Sequence, residues 1–221
     1  GFTYLSTRLR PLHNEYVLQL KNKDNMKLPK WAIPAGIAVI ILLWGITQYN
    51  GLVGIQENVN TQWSQVENQY QRRADLIPNL VNVVKGYASH ERETLEGVIQ
   101  ARSRATATTI DANNMDEAAL QRFQQSQDAL SSALSRLMVV VEKYPELKAN
   151  EQFQSLMAQL EGTENRIATA RMDFNNTAKE YNTKIRKFPA SLIAGVTGFR
   201  TRPYFTAQAG SEVAPTVDFS K

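Results

Sequence analysis

The chain of 221 residues contains no cysteine and only two histidines, His13 and His90. The first absence excludes disulfides, thiolate nucleophiles and cysteine-bound zinc or iron–sulfur groups. The second excludes a multi-histidine metal site. The segment His90-Glu-Arg-Glu-Thr94 carries Thr where a zinc-protease helix needs its second histidine, so that motif is absent too. The 11 glycines are scattered and build no phosphate-cradling loop. A charge excess is also missing from most of the chain. The formal net charge is +4, but residues 1–30 hold six basic side chains against two acidic ones, and residues 31–221 hold 19 of each sign. The bulk of the molecule therefore has no general electrostatic reason to bind nucleic acid, and no cofactor is expected.

What is present is a long apolar run. From Trp31 to Gln56 no residue is charged, and Trp31 to Ile46 is apolar almost throughout. With Thr47, Gln48 and Tyr49 it approaches the roughly 20 residues that cross a hydrocarbon core. Being apolar on every face, it is predicted to be a transmembrane helix rather than one packed in a bundle. Trp31, Trp44 and Tyr49 are placed as interfacial aromatics, with Lys27 and Lys30 as basic anchors beside them. No small-residue cleavage site follows, so the anchor is expected to be retained. Lys21, Lys23, Lys27 and Lys30 precede the run, whereas the first charge after it is Glu57. The positive-inside bias then predicts a cytoplasmic N-terminus and an exported C-terminal part. Ala32 and Gly36 give a small-xxx-small spacing of the kind that lets anchors pair. The predicted organisation is 1–25 as an extension, upstream or expression-derived, and 26–50 as cytoplasmic stub and anchor. A helical bundle follows over 51–205 and a flexible tail over 206–221.

Beyond the anchor, apolar residues recur at steps of three and four. Leu52, Ile55, Val59, Trp63, Val66 and Tyr70 form one stripe, continued by Ile77, Leu80 or Val81, Val84, Tyr87, Leu95 and Val98. Pro78 removes a donor and crowds the carbonyl of Ala74, which predicts a kink in one long bent helix or a junction between two stacked segments. An unbroken helix over 52–104 would be about 80 Å long. A second stripe runs through Leu120, Phe123, Leu130, Leu134, Leu137, Val141 and Tyr144, capped by Asp116 and stopped by Pro145. The third starts at Asn150 and runs through Phe153, Leu156 or Met157, Leu160, Ile167, Phe174, Ala178, Tyr181, Ile185 and Phe188, stopped by Pro189. Short links between long helices predict antiparallel neighbours. The fold class is therefore all-α: an N-terminal transmembrane helix, then an elongated antiparallel bundle of three to four long helices.

Several seam positions are polar. Glu164 and Arg171 stand where the third stripe calls for apolar residues, Gln127 does so in the second, and Glu91 beside His90 in the first. Arg73 and Asp75 flank Pro78. An isolated charge buried at such a position costs several kcal/mol, so these groups are expected to pair or reach water, as an interhelical network or as a partner site near Pro78. Glu91 and Glu142 could act as a glycosidase-type acid and base pair, but nothing in the sequence raises a pKa or shapes a sugar cleft.

The blocks Trp63-Ser-Gln-Val, Tyr70-Gln-Arg-Arg-Ala-Asp-Leu-Ile-Pro-Asn-Leu-Val81, Val84-Lys-Gly-Tyr-Ala-Ser-His-Glu91 and Thr94-Leu-Glu96 follow the anchor in that order. Then come Val141-Glu-Lys-Tyr-Pro-Glu-Leu-Lys-Ala-Asn150, Leu160-Glu-Gly-Thr-Glu-Asn-Arg-Ile-Ala168, Ala170-Arg171, Tyr181-Asn182, Phe188-Pro189, Gly198-Phe199 and Tyr204-Phe205. Over residues 26–205 this resembles the LemA family of bacterial membrane proteins. The resemblance implies an all-helical, membrane-anchored bundle with no known enzymatic activity, in a family associated with envelope stress and an HtpX-type membrane protease and related to magnetosome proteins. The family's recurring polar residues fall on Arg72, Arg73, Asp75, Asn79, His90, Glu91, Glu164, Asn165, Arg166 and Arg171. The expected role is that of a non-enzymatic scaffold in the bacterial inner membrane. Its expected partners are the lipid bilayer, an unidentified membrane or envelope protein, and copies of itself. The alternatives are an oligomeric membrane-remodelling protein and a hydrolase built on His90, Glu91 and Glu164.

Overall fold

The computed structural model describes residues 29–206; the extension at 1–25, Lys27 and the tail beyond Thr206 lie outside the described residues. Among those residues the chain is all-α, with helices α1 (Ala32–Tyr87), α2 (Arg92–Ala107), α3 (Glu117–Val141), α4 (Pro145–Lys148), α5 (Glu151–Arg186) and α6 (Ala190–Thr197), plus a 3-10 turn at Ala112–Asn114. The chain divides after Thr47 into two units, and α1 contributes to both.

In the first unit, Ile33, Ile37, Ile40, Ile41 and Leu42 are all exposed, on every side of the helix. This is one helix long and apolar enough to cross a membrane, and none of its apolar window is buried by the protein, unlike the core helix of a soluble bundle. Thr47 donates its hydroxyl to the Leu43 carbonyl at 3.0 Å, so this apolar helix satisfies its own polar side chain. Lys30, Trp31, Trp44 and Tyr49 are exposed.

The second unit, from Gln48 onward, is a bundle whose register can be read from its cross-helix contacts. Trp63 meets Phe174, Arg73 meets Glu164, and Tyr87 meets Asn150, so each step along α1 is matched by an equal step back along α5. Those two helices are antiparallel. Trp63 meets Phe123 and Arg73 meets Gln127 and Ser131, which makes α3 parallel to α1. Helix α2 runs against both, with Arg102 reaching Ala74, Gln127 reaching Ala105, and Tyr144 reaching Glu91. The order is up, down, up, down, as short connections dictate.

Local signals set the boundaries. Asp116 caps α3 by accepting from the Ala119 N–H at 2.6 Å, and Asn150 caps α5 by accepting from the Phe153 N–H at 2.9 Å. Pro145 opens α4 at its first turn, where a missing donor is harmless. Pro78, by contrast, sits inside a continuous α1. The Ala74 carbonyl it would leave empty accepts instead from the Arg102 Nε at 2.7 Å. The chain turns back not at Pro78 but at residues 88–91, so the first stripe is two antiparallel helices and not an 80 Å rod. The period carries across the turn because α1 and α2 bury their apolar faces in the same core.

That core has two parts. One gathers Trp63, Tyr70, Phe123, Phe174, Tyr181 and Phe205 with aliphatic neighbours from Leu52 to Ile185. The other gathers Ile77, Leu80, Val84, Leu95, Val98, Leu130, Leu137 and Leu160, with Phe153. Most stripe positions are buried as expected; Ile55, Leu134 and Tyr144 are partly buried, Tyr87 is exposed, and Phe188, expected to close the third stripe, is 80% exposed.

Candidate functional site

The two cores meet at a polar layer. Arg73 is 2% exposed. One terminal nitrogen donates to Glu164 at 2.9 Å and Ser131 at 3.1 Å. The other donates to the Gln127 side-chain oxygen at 2.6 Å and its backbone carbonyl at 3.3 Å. The guanidinium lies 5.1 Å from the centre of the Tyr70 ring. Gln127 passes the connection on by donating to the Ala105 carbonyl at 3.2 Å. Residues from α1, α2, α3 and α5 are thus tied at one level. Half of the Glu164 side chain is exposed, so water screens its charge and the neutral oxygens of Gln127 and Ser131 carry much of the burden of holding a buried cation.

Next to it, burial pushes the Tyr70 hydroxyl above its ordinary pKa, opposed by the positive charges of Arg171 and Arg73. Burial likewise raises the Glu67 carboxyl on the neighbouring turn.

A second polar assembly fastens the chain after α6. Asn182, 3% exposed, accepts from the Arg202 N–H at 2.8 Å and donates to the Arg202 carbonyl at 2.8 Å and the Tyr204 hydroxyl at 2.9 Å. Asn175 does the same for Phe205, accepting from its N–H at 2.9 Å and donating to its carbonyl at 3.0 Å. Each side-chain amide therefore acts as a strand neighbour would. The spacing fits: two turns of helix rise about 10 Å, as do three residues of extended chain. Beyond this clamp, Gln124 and Arg171 both donate to the Thr206 carbonyl, at 3.3 and 3.0 Å, and the Arg171 guanidinium lies 4.7 Å from the Phe205 ring centre. Arg202 is buried and donates to the Asn113 carbonyl at 2.8 Å.

The sequence-selected residues separate accordingly. Arg73 and Glu164 come together with Gln127. Arg171 holds the chain just beyond the clamp, and the exposed Arg166 donates to the buried Thr163 hydroxyl at 3.0 Å. Arg72, Asn79 and Asn165 are exposed, and Asp75 accepts from Gln71 at 2.7 Å within α1. His90 and Glu91 lie in the turn before α2 rather than on a helix seam, with Glu91 accepting from the Tyr144 hydroxyl at 3.5 Å. Arg73 marks the level of Glu164 and Tyr87 lies near that of Glu91, so about 20 Å of α1 separates the two carboxylates. That is too far for the acid and base of one hydrolytic site. Glu142 forms an exposed pair with Lys148 at 2.8 Å. Ser131, Asn175, Asn182, Arg102 and Arg202 were not selected. Asn182 falls beside Tyr181 on the buried side of α5, and that adjacency is its signal in the sequence; Arg202 lies in a stretch without helical period. A groove of about 710 Å³ is lined by Asn113, Asp116, Tyr181, Arg200 and Arg202, away from the Arg73 layer.

Comparison with known proteins places this arrangement. The chain is 28% identical over 192 residues to magnetosome protein MamQ 2 of Paramagnetospirillum magneticum, covering 79% of this chain and 68% of that protein. It is 28% identical over 190 residues to magnetosome protein MamQ of Magnetospirillum gryphiswaldense, covering 76% and 70%. It is 26% identical over 186 residues to protein LemA of Metamycoplasma hominis, covering 78% and 80%. Residues 62–219, which include Arg73, Gln127, Glu164 and both clamping asparagines, match the LemA family, and the chain belongs to that family.

Proposed function

We propose that the protein is a non-enzymatic, membrane-anchored scaffold. The observation that carries this reading is the use made of its interior polar groups. Arg73, Gln127, Asn175 and Asn182 turn their hydrogen-bonding capacity to other parts of the same chain, where it fixes helix register and the returning segment. A catalytic constellation would aim such groups at a substrate space. The exposed apolar helix at the N-terminal end supplies the anchor. The charge asymmetry around it supports a cytoplasmic N-terminus in the inner membrane and a bundle on the other side. The outer face of the bundle is then what meets an envelope or membrane protein, with a role in envelope stress or beside a membrane protease, as the family resemblance implies. Crosslinking in native membranes followed by mass spectrometry tests this. A reproducible set of membrane neighbours is expected, and a monomer without one would overturn it. A reporter fused after Lys221 should be active only outside the cytoplasm.

The names of the magnetosome relatives favour a second reading, in which copies of the protein organise a membrane. Reconstitution into liposomes separates the two, since only an organising protein clusters or reshapes the vesicles.

A further inference from the structure

Helix α6 turns Ala190 and Ala194 inward and Leu192 and Val196 outward. Ala190 and Ala194 are buried against the bundle, whereas Leu192 is 58% and Val196 89% exposed, and Phe188 just before the helix is 80% exposed. Thr197 donates its hydroxyl to the Ile193 carbonyl at 2.6 Å. At the C-terminal end, Gly198 adopts φ +80°, which lets its own N–H and that of Phe199 close on the Ala194 carbonyl. The flanks are basic: Lys184, Arg186, Lys187 and Arg200 are exposed, and no acidic residue occurs from Tyr181 to Ser211. An apolar face rimmed by cations is the pattern of a helix that lies in a membrane interface.

The chain itself says which surface is near. The Phe199 ring, immediately after α6, packs edge-on to Tyr49 with centroids 5.8 Å apart. Tyr49 follows the last residue of the apolar unit, Thr47, by about 3 Å of helix rise. Ala190 and Ala194 share their core with Leu52. We propose that α6 and Phe188 dip into the headgroup boundary of the bilayer that the anchor crosses, with Lys184, Arg186, Lys187 and Arg200 on anionic phospholipid headgroups. The inference rests on the anchor reading above.

Because the chain has no cysteine, single cysteines can be labelled with an environment-sensitive fluorophore in the full-length protein. The sites are L192C, V196C, V139C on the exposed distal part of α3, and L42C in the anchor. The proteins are reconstituted into phosphatidylcholine vesicles, with or without phosphatidylglycerol, that carry nitroxide-labelled lipid. Quenching at 192 and 196 should exceed that at 139 by at least about threefold in the anionic vesicles. Replacing Lys184, Arg186, Lys187 and Arg200 together by Gln should bring it down to its value in pure phosphatidylcholine; no change would overturn the headgroup contact. Quenching at 42 with none at 192 and 196 sinks the proposal while sparing the anchor, and absence of quenching at 42 removes both. Sites 192 and 196 shielded from an aqueous quencher yet untouched by the lipid nitroxide would mean that protein covers the face, which also overturns the proposal.

Discussion

The part of the bundle around Trp63 and the part around Leu137 solve the same packing problem with different side chains. Around Leu137 four helices run side by side, and branched aliphatic residues interlock between them. Helix α2 ends at Ala107, close to the level of Arg73, and beyond it three helices leave a wider space. That space is filled by rings. Trp63 packs edge-on to Phe123 and Phe174 with centroids 5.2 and 5.6 Å apart, and stacks on Phe205 at 6.0 Å. Phe205 comes from the segment that Asn175 and Asn182 hold in place. A bundle with a full set of helices needs only shape; one that lacks a helix over half its length needs large side chains and a borrowed piece of chain. The Arg73 layer marks the change from one regime to the other.

The strongest way to break this comparison is Trp63→Ala, which removes the common neighbour of three rings. It should cost about 3–5 kcal/mol and loosen the aromatic half first. Hydrogen exchange would show this as lost protection near Phe205 with the amides around Leu137 still protected; equal loss in both halves would mean that the cores do not differ in their dependence. Arg73→Met should cost about 2–4 kcal/mol in chemical denaturation, because Gln127 is left buried with an unsatisfied oxygen. Adding Gln127→Leu should recover part of that loss by letting the two cores merge, and a double variant worse than the single one would contradict this account. Asn182→Ala, which frees both backbone groups of Arg202, should cost about 1–3 kcal/mol and expose the Arg202 amide to exchange. Glu164→Gln should cost no more than about 1 kcal/mol, since the pair is half in water and the amide oxygen still accepts from Arg73.

The smallest effect concerns the turn that replaces α2. Asp111 accepts from the Asn113 N–H at 2.9 Å and the Asn114 amide at 2.6 Å, and these hydrogen bonds hold its carboxyl below the ordinary range. Its contribution to stability is therefore present above the unfolded-state pKa and fades as pH falls through the carboxylate range toward the lowered native value. In Asp111→Asn the same acid titration of stability should lose this component.

Much of the bundle was legible because helical burial is periodic. The stripes from Leu52 to Val84, Leu120 to Val141 and Phe153 to Ile185 needed only spacing, and Asp116 and Asn150 announced their helix starts by side-chain chemistry. The reversal at residues 88–91 was harder to see, since the stripe stays in phase across it and Pro78 is the stronger local signal. Pro78 misled because the remedy lies 28 residues away, in the guanidinium of Arg102. Within the polar layer, Arg73, Gln127 and Glu164 stood out as breaks in an apolar pattern. Ser131 did not, because a serine on a helix is usually an unremarkable surface residue.

The sequence by itself determined a helix long and apolar enough to cross a membrane, the all-helical class, the apolar faces and the confinement of the net charge to the first 30 residues. These depend on composition and on distances of a few residues along one helix. Only the tertiary structure decided which seam charges meet, that Arg73 answers to Gln127 and Ser131 as well as Glu164, and that Asn175 and Asn182 receive the returning chain. Such pairings join residues up to 91 positions apart. They follow from the register of whole helices, which is set by the sum of many packing contacts and not by the residues that end up bonded.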